Sequence, residues 1–205
     1  MDILFEAEDN ATPITEEETQ GLKQKWITQR SELNEMEMQG ILSAEKWLMN
    51  NTPTDVLDEA FLRKLHSKMF VSVWGWAGTF RSSERNIGVA PYQISVKLKS
   101  LFDDVHFWID NATYPLHEIA VRFHHKLVWI HPFPNGNGRI SRLMADLLIR
   151  QIGGKPLFWG SSDLVSISAT RSRYIHGLQK ADGGDYSDLI AFTCGPVLQN
   201  TQGAL

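Results

Sequence analysis

The segment HPFPNGNGRISR, from His131 to Arg142, combines residue types that suit phosphate binding. Its glycines, Gly136 and Gly138, let the main chain turn tightly and come close to a ligand. Helical apolar spacing resumes directly afterwards, and the unpaired N–H groups at the start of a helix attract anions. The pattern therefore predicts a phosphate cradle, formed by a loop that opens a helix.

Four further side chains of this segment add positive charge, a hydrogen-bond donor or a proton acceptor. Arg139 and Arg142 lie one helical turn apart, so both guanidinium groups can reach the same polyphosphate. Asn137 can add a side-chain amide donor. His131 ends the preceding apolar stretch, and its near-neutral pKa suits a general base for a hydroxyl nucleophile. The alternative interpretation is a plain helix connection with surface arginines.

The elements that must position this segment are mostly helical. Apolar residues recur at helical spacing in seven stretches, at residues 31–50, 57–74, 95–110, 116–130, 139–152, 162–181 and 186–193. The intervening WGWAGTFRSSERNIGVAPYQIS contains glycines, a proline and short β-compatible runs, which predict a β-hairpin or extended flap. We expect a mostly α fold, a helical bundle with a small β-hairpin flap.

Length and composition indicate one cytoplasmic domain. A chain of 205 residues with 42% hydrophobic and 21% charged residues suits a single globular core. The net charge of −4 predicts neither a nucleic-acid surface nor a membrane patch. The single cysteine, Cys194, excludes an internal disulfide. No apolar run reaches the ~18 residues of a membrane span, and the acidic start lacks a signal-peptide pattern.

The motif and its surroundings resemble Fic proteins, whose signature is His-x-Phe-x-Asp/Glu-Gly-Asn-Gly-Arg-x-x-Arg. The stretches ELNEMEMQGI and RYIHGLQKADGGDY are most similar to the bacterial subgroup called mobile mystery protein B. The resemblance divides the chain into an N-terminal arm with a short helix at residues 1–29, a Fic domain at residues 30–195 and a C-terminal tail at residues 196–205. It implies the Fic fold, a helical bundle with a β-hairpin flap.

The resemblance also implies a protein adenylyltransferase, which moves AMP from ATP to a Ser, Thr or Tyr hydroxyl of a target protein. His131 would be the base. The amides of Gly136–Gly138, with Asn137, would hold the α- and β-phosphates, and Arg139 and Arg142 the outer ones. The flap would align the unidentified target by main-chain pairing, through Ile87, Gly88, Val89, Tyr92 and Ile94. An antitoxin partner and self-modification both fit such a protein.

One position departs from the family signature. The acidic residue that holds Mg²⁺ or Mn²⁺ in the family is Asn135 here. A neutral amide oxygen can ligate a hard cation, but without the charge that such a cation prefers. Three outcomes stay open: a slow adenylyltransferase, an enzyme that uses another phosphodonor, and a nucleotide-binding or regulatory module with little turnover.

A second family pattern concerns inhibition. Many Fic proteins carry a helix with Ser/Thr-x-x-x-Glu-Gly/Asn, whose glutamate pairs with the second motif arginine. Within residues 31–50, Ser31 and Glu35 match the first part, whereas Met36 replaces the Gly/Asn. Glu37 lies nearby but has no Ser/Thr four residues earlier. The alternative is that these are solvated charges on an amphipathic helix.

Overall fold

The computed structural model describes residues 20–27, 30–160 and 167–199, and these residues are largely helical. Seven α-helices follow in order: α1 (Arg30–Leu48), α2 (Glu59–Phe70), α3 (Ile94–Asp110), α4 (Leu116–Ile130), α5 (Asn137–Gln151), α6 (Ile167–Asp182) and α7 (Ser187–Gln199). The mostly α fold is confirmed. Three sets of predicted residues lie outside the described ranges: residues 1–19 and 28–29 of the arm, residues 162–166 of the sixth predicted helix, and residues 200–205 of the tail.

Helix α4 lies at the centre of the fold, and eight of its 15 residues are buried. It packs between α3 and α5 and also contacts α7. Its buried side chains include Ile119, Phe123, Leu127 and Ile130. The loop that joins α4 to α5 therefore starts from a fixed position in the core. No helix in the described ranges is long and apolar enough to cross a membrane.

Helix α2 carries α1 on one side and contacts α3 and α5 on the others. Asp58 caps its amino-terminal end: the carboxylate accepts a hydrogen bond from the Phe61 N–H at 2.7 Å. The main chains of α1 and α2 are in close contact, since a Cβ built on Gly40 would lie 2.1 Å from the carbonyl oxygen of Met69. This contact fixes the rotation of α1 and so decides which of its residues face α5.

The turn after α2 is supported by residues 21–23. An isolated antiparallel bridge pairs Leu22 with Trp74. The Gly75 N–H donates to Gly21 O, and the Lys23 N–H donates to Val73 O, both at 2.8 Å. These bonds hold the indole of Trp74 in the core, where only 1% of the residue is exposed.

The predicted β-hairpin is not formed, which corrects the expected flap. Residues 79–90 are irregular, and a short 3-10 helix at Pro91–Gln93 leads into α3. The physical reason is that the Arg81 side chain donates to the carbonyl oxygens of Ser83 and Val89, which strand pairing would otherwise use. The segment of residues 82–90 is called the flap below.

Two of the buried histidines, His66 and His124, are fully enclosed in the bundle, and neither was singled out as structural in the sequence. His66 accepts from the Gly78 N–H at Nδ1, so its Nε2 carries the proton and donates to Asn135 O at 3.1 Å. His124 Nε2 lies 2.9 Å from the Tyr174 hydroxyl. Burial lowers the pKa of each imidazole from 6.5 to about 3, and a motif arginine adds to the effect, Arg139 for His66 and Arg142 for His124.

These pKa values predict that the fold loses stability in mild acid. Both groups have a lower pKa folded than unfolded, so their stabilisation is complete above pH 6.5 and is lost as the pH falls toward 3. Each contributes a slope of about 1.4 kcal/mol per pH unit, and together about 3. The slope is measured as the free energy of urea unfolding at several pH values between about 4.5 and 7, an interval that includes the unfolded pKa of about 6.5.

The matched variants are His66→Gln and His124→Gln, which keep a polar side chain but do not titrate. Each should reduce the slope by about 1.4 kcal/mol per pH unit, since one titrating group is removed. Part of the slope should remain, because the pKa of His131 is also lowered by burial. A slope that is the same in parent and variants would contradict the assignment of neutral buried imidazoles.

Candidate functional site

The loop between α4 and α5 is closed by Asn137. Its Oδ1 accepts from the Phe133 N–H at 2.9 Å, and its Nδ2 donates to Phe133 O at 2.7 Å. The side chain is buried and both its polar atoms bind Phe133, so it holds the loop together. The amide that the sequence predicted as a donor to the cradle is thus used within the loop.

His66 fixes the same loop from the side of α2. Its ring stacks on Phe133 with 3.7 Å between centroids and an angle of 10° between the planes. Together with the hydrogen bond from His66 to Asn135 O, this contact anchors the loop at two successive points. Phe133 is fully buried, as the sequence indicated for an anchor of the loop.

The two loop glycines serve different purposes. Gly136 has φ +78°, and a Cβ there would lie 2.6 Å from the Phe70 ring, so both conformation and space require glycine. A Cβ on Gly138 would meet only Arg142 Nη1, at 3.9 Å. Space is therefore open beside Gly138, in the first turn of α5, where the N–H groups have no partner within the helix. This is the geometry of an anion site.

His131 stands at the carboxyl end of α4 in a left-handed conformation, with φ 53° and ψ 59°. Its Nδ1 lies 3.3 Å from Val128 O, which assigns the proton to Nδ1 and the lone pair to Nε2. Burial lowers the pKa of the imidazole to about 4, and the charges of Arg81 and Arg85 add to this. At neutral pH His131 is thus unprotonated and able to accept a proton.

The structure sends the two motif arginines to different partners. The Arg139 Nη1 donates to Glu37 Oε2 at 2.6 Å, and its guanidinium lies over the Phe70 ring at 4.8 Å. Arg142 is buried and lies over the Tyr174 ring at 5.7 Å. Tyr174 is itself buried, as expected for a core residue.

Glu37 on α1, and not Glu35, reaches the motif arginines. It is 2% exposed, and its second carboxylate oxygen, Oε1, accepts from the Trp74 indole N–H at 2.7 Å. Glu35 and Ser31 are exposed on the other side of α1 and are not brought to the site. A second difference is the arginine involved: Glu37 binds Arg139, the first arginine of the motif, whereas the resemblance implies the second.

The residues present do not fit a divalent cation. The only side-chain ligand in the loop is the Asn135 amide, and its Oδ1 accepts from the Gly136 N–H at 2.6 Å. The carboxylate of Glu37 is already bound to Arg139 and Trp74. In the described ranges no group of three His, Cys, Asp or Glu side chains could hold a metal ion. The weakness predicted for a metal site at Asn135 is consistent with this arrangement.

The five residues that the sequence predicted for target binding, of which Tyr92 and Ile94 follow residues 82–90, divide into exposed and buried ones. Ile87, Gly88 and Tyr92 are exposed, and Tyr92 reaches 84%. Val89 and Ile94 are buried, so their side chains pack inward and are not available to a target. The main chain of Val89 donates to Ile130 O at 3.3 Å, next to His131.

Sequence reasoning missed the roles of His66 and Arg81 and left Glu37 without one. His66 had a detectable signal, because a polar residue occupies the apolar stripe of α2 between Leu62 and Met69. Arg81 and Glu37 had none, since the contacts of Arg81 with His131 and of Glu37 with Trp74 and Arg139 join residues 37 to 102 positions apart.

Comparisons with known proteins agree with this geometry. Residues 56–149 match the model of the Fic/DOC family. Protein adenylyltransferase Fic of Drosophila willistoni is 30% identical over 119 residues, which cover 56% of this chain but only 22% of that protein. The chain thus spans a minor part of that relative's length.

Solved structures show the same fold over most of the chain. Fic-1 (residues 134–508) from C. elegans has a TM-score of 0.62 and 25% identity, covering 84% of this chain and 51% of that one. BepC protein from Bartonella tribocorum, solved with bound AMPPNP, has a TM-score of 0.64 and 20% identity, covering 84% and 90%. The histidine, the glycine loop and both arginines all lie inside residues 56–149, the part of this chain that matches the Fic/DOC family model.

Proposed function

We propose that this chain is a protein adenylyltransferase that transfers AMP from ATP to a hydroxyl group of a target protein. The observation that carries the proposal is the position of neutral His131 directly before a glycine loop, with open space beside Gly138 at the start of α5. The names of relatives such as protein adenylyltransferase Fic support the reaction, and the AMPPNP bound to BepC supports an ATP-like donor.

The reaction needs one proton acceptor for the target hydroxyl and a set of hydrogen-bond donors to the phosphates of ATP. The oxygen of the target hydroxyl attacks the α-phosphorus of ATP, and its proton passes to His131 Nε2. The bond between the α-phosphorus and the bridging oxygen breaks, and pyrophosphate leaves. The N–H groups at the start of α5 would stabilise the charge that develops on the α-phosphate. Because no carboxylate ligand is present in the loop, we route no step through a metal ion.

The flap is the proposed docking site for the target. The exposed Ile87 precedes Gly88, which lies against His131, and the exposed Tyr92 follows in the 3-10 helix directly after the flap. A target chain placed along the flap would therefore bring its hydroxyl close to the imidazole. The stretches ELNEMEMQGI and RYIHGLQKADGGDY favour the mobile mystery protein B subgroup.

We also propose that Glu37 takes the inhibitory role that the sequence suggested for Glu35. Arg139 cannot bind Glu37 and an outer phosphate of ATP with the same donors at once. The ion pair is largely buried, with side-chain exposure of 17% for Arg139 and 3% for Glu37, so it competes effectively with a ligand.

This buried pair also favours a second candidate function. A module that binds nucleotide without much turnover could retain the ion pair between Arg139 and Glu37. It would not need an acidic metal ligand at position 135, which is Asn135 here. Turnover of ATP separates the two candidates, whereas ATP binding alone does not.

The first prediction is that the purified chain incubated with α-labelled ATP and Mg²⁺ or Mn²⁺ transfers label to protein hydroxyls, detected by mass as one added AMP. His131→Asn should reduce transfer by about a hundredfold or more, because the general base is lost. Asparagine is the suitable replacement because it adopts the left-handed conformation of residue 131 readily.

Two controls accompany this experiment. Label from γ-labelled ATP on the protein would indicate phosphotransfer instead of AMP transfer and would contradict the proposal. Gly138→Ala should leave the fold intact but weaken ATP binding, since the new methyl group enters the open space beside α5. Unchanged ATP affinity in Gly138→Ala would place the nucleotide elsewhere.

The second prediction concerns the departure at residue 135. Asn135→Asp should raise the transfer rate at saturating Mg²⁺ and tighten Mn²⁺ binding, by about tenfold or more, because a carboxylate is a stronger ligand for a hard cation. The loop should keep its shape, since a carboxylate oxygen can also accept the Gly136 N–H. Transfer and Mn²⁺ binding equal to those of the parent would exclude residue 135 as a metal ligand.

The third prediction compares two glutamates of α1. Glu37→Gln keeps an acceptor for Trp74 but removes the charge that holds Arg139. We expect ATP affinity and transfer to rise by on the order of tenfold, equivalent to about 1.4 kcal/mol. Glu35→Gln, at an exposed position of the same helix, should change neither quantity. Equal behaviour of the two variants would refute inhibition by Glu37.

A further inference from the structure

Arg81 makes the densest set of main-chain contacts near the site. Its side chain is buried, with 3% of the residue exposed. The Nε donates to His131 O at 2.6 Å, Nη1 to Ser83 O at 3.0 Å, and Nη2 both to Val89 O and, at 3.4 Å, to Ile130 O. One guanidinium group thus binds the last turn of α4 and both ends of the flap.

The carbonyl groups at the carboxyl end of α4 need hydrogen-bond donors. The last carbonyl groups of a helix have no partner within it, and they form the negative end of the helix dipole. At His131 the chain also turns into the left-handed region, which few residues other than glycine adopt. Arg81 supplies donors and positive charge at this point, although it is 50 residues distant from His131 in sequence.

The flap side is in direct contact with His131. The Val89 N–H donates to Ile130 O at 3.3 Å, and the Arg81 N–H donates to Pro132 O at 3.0 Å. A Cβ on Gly88 would lie 2.6 Å from Arg81 Nη2 and 2.7 Å from the His131 Cβ, so the flap main chain passes as close to the histidine as glycine permits. The flap and His131 cannot move independently while these contacts persist.

We propose that Arg81 is a positioning residue that holds His131 and the flap as one rigid unit, so that a target docked on the flap is presented to the imidazole in fixed register. The catalytic part of this inference rests on the proposed adenylyltransferase function, whereas the mechanical coupling does not. Arg81 touches neither ATP nor the reacting hydroxyl; it acts through the carbonyl groups of residues 130, 131 and 89.

The charges around His131 agree with this role. The two groups whose charges act on its imidazole are Arg81 and Arg85, and both lower its pKa, after the larger effect of burial. Glu84 is the acidic group that acts on Arg81 and favours its charged form. Loss of Arg81 would remove one positive charge and admit water, so the pKa of His131 should rise from about 4 toward 6.5.

The test uses Arg81→Gln and Arg81→Lys in the full chain, with Arg63→Gln as the matched control. Arg63 also donates to a carbonyl of a neighbouring loop, Gly78 O at 3.1 Å, and lies over the Phe80 ring, but it has no contact with His131. Three quantities are measured: amide hydrogen exchange at Val89, the titration of His131 by NMR of ¹³C-labelled histidine, and transfer of AMP from α-labelled ATP.

We expect exchange at Val89 to accelerate by on the order of tenfold in Arg81→Gln, while exchange in the α4 core stays at the parental rate. His131 should titrate at higher pH, and kcat should fall with the ATP Kd unchanged. Arg81→Lys keeps the positive charge but has one donor nitrogen in place of three, so it should show smaller changes. Arg63→Gln should show none of them.

Several results would overturn the inference. Parental exchange at Val89 and parental titration of His131 in Arg81→Gln would show that the flap is held without Arg81. Faster exchange throughout the core would assign Arg81 a general stabilising role; if Arg81→Gln fails to fold, the same comparison is made with Arg81→Lys. Altered exchange and titration with no AMP transfer in parent or variants would support the coupling and reject the proposed function.

Discussion

The loop between α4 and α5 must satisfy its own main-chain hydrogen bonds without using the N–H groups at the start of α5. Polar main-chain groups that leave water need partners, yet a cradle for anions must keep some of them open. The structure resolves this conflict with side chains. Asn137 binds both polar groups of Phe133, and His66 binds Asn135 O. Arg81 binds the carbonyls at the end of α4. The first turn of α5 is thereby left for a ligand.

The need to satisfy the main-chain groups of the loop with side chains also explains why a buried, neutral histidine suits position 66. A single imidazole accepts from one loop at Nδ1 and donates to another at Nε2, so it joins the turn at Gly78 to the cradle across α2. Its flat ring also stacks on Phe133. Protonation would replace the acceptor with a second donor and place a charge near Arg139. The lowered pKa is therefore a condition for the loop geometry and not an incidental result of burial.

Local patterns were sufficient for the helices, but not for the contacts at the proposed site. Helical periodicity identified α1 to α5 closely, because each has an apolar face that the core must bury. Glycine spacing and the two arginines predicted the cradle, and the open space beside Gly138 supports that prediction. The β-hairpin was wrongly expected, since β-compatible spacing cannot reveal that Arg81 occupies the carbonyls of Ser83 and Val89. Glu37 was passed over for Glu35 because the rotation of α1 is fixed by the Gly40 contact with α2, which no local pattern encodes.

The shape of the loop and its affinity for metal are separable properties, and Asn135 shows how. Its Oδ1 receives the Gly136 N–H, and its main-chain oxygen receives His66, so both of its structural contacts use groups that aspartate also has. A change between these two residues therefore alters charge at the cradle while leaving the contacts that shape it. At Asn137 the opposite holds, because its amide acts as donor and acceptor to Phe133 at once, and a carboxylate could only accept. The asparagine at 135 can thus vary with the chemistry of the site, whereas the one at 137 is required by the fold of the loop.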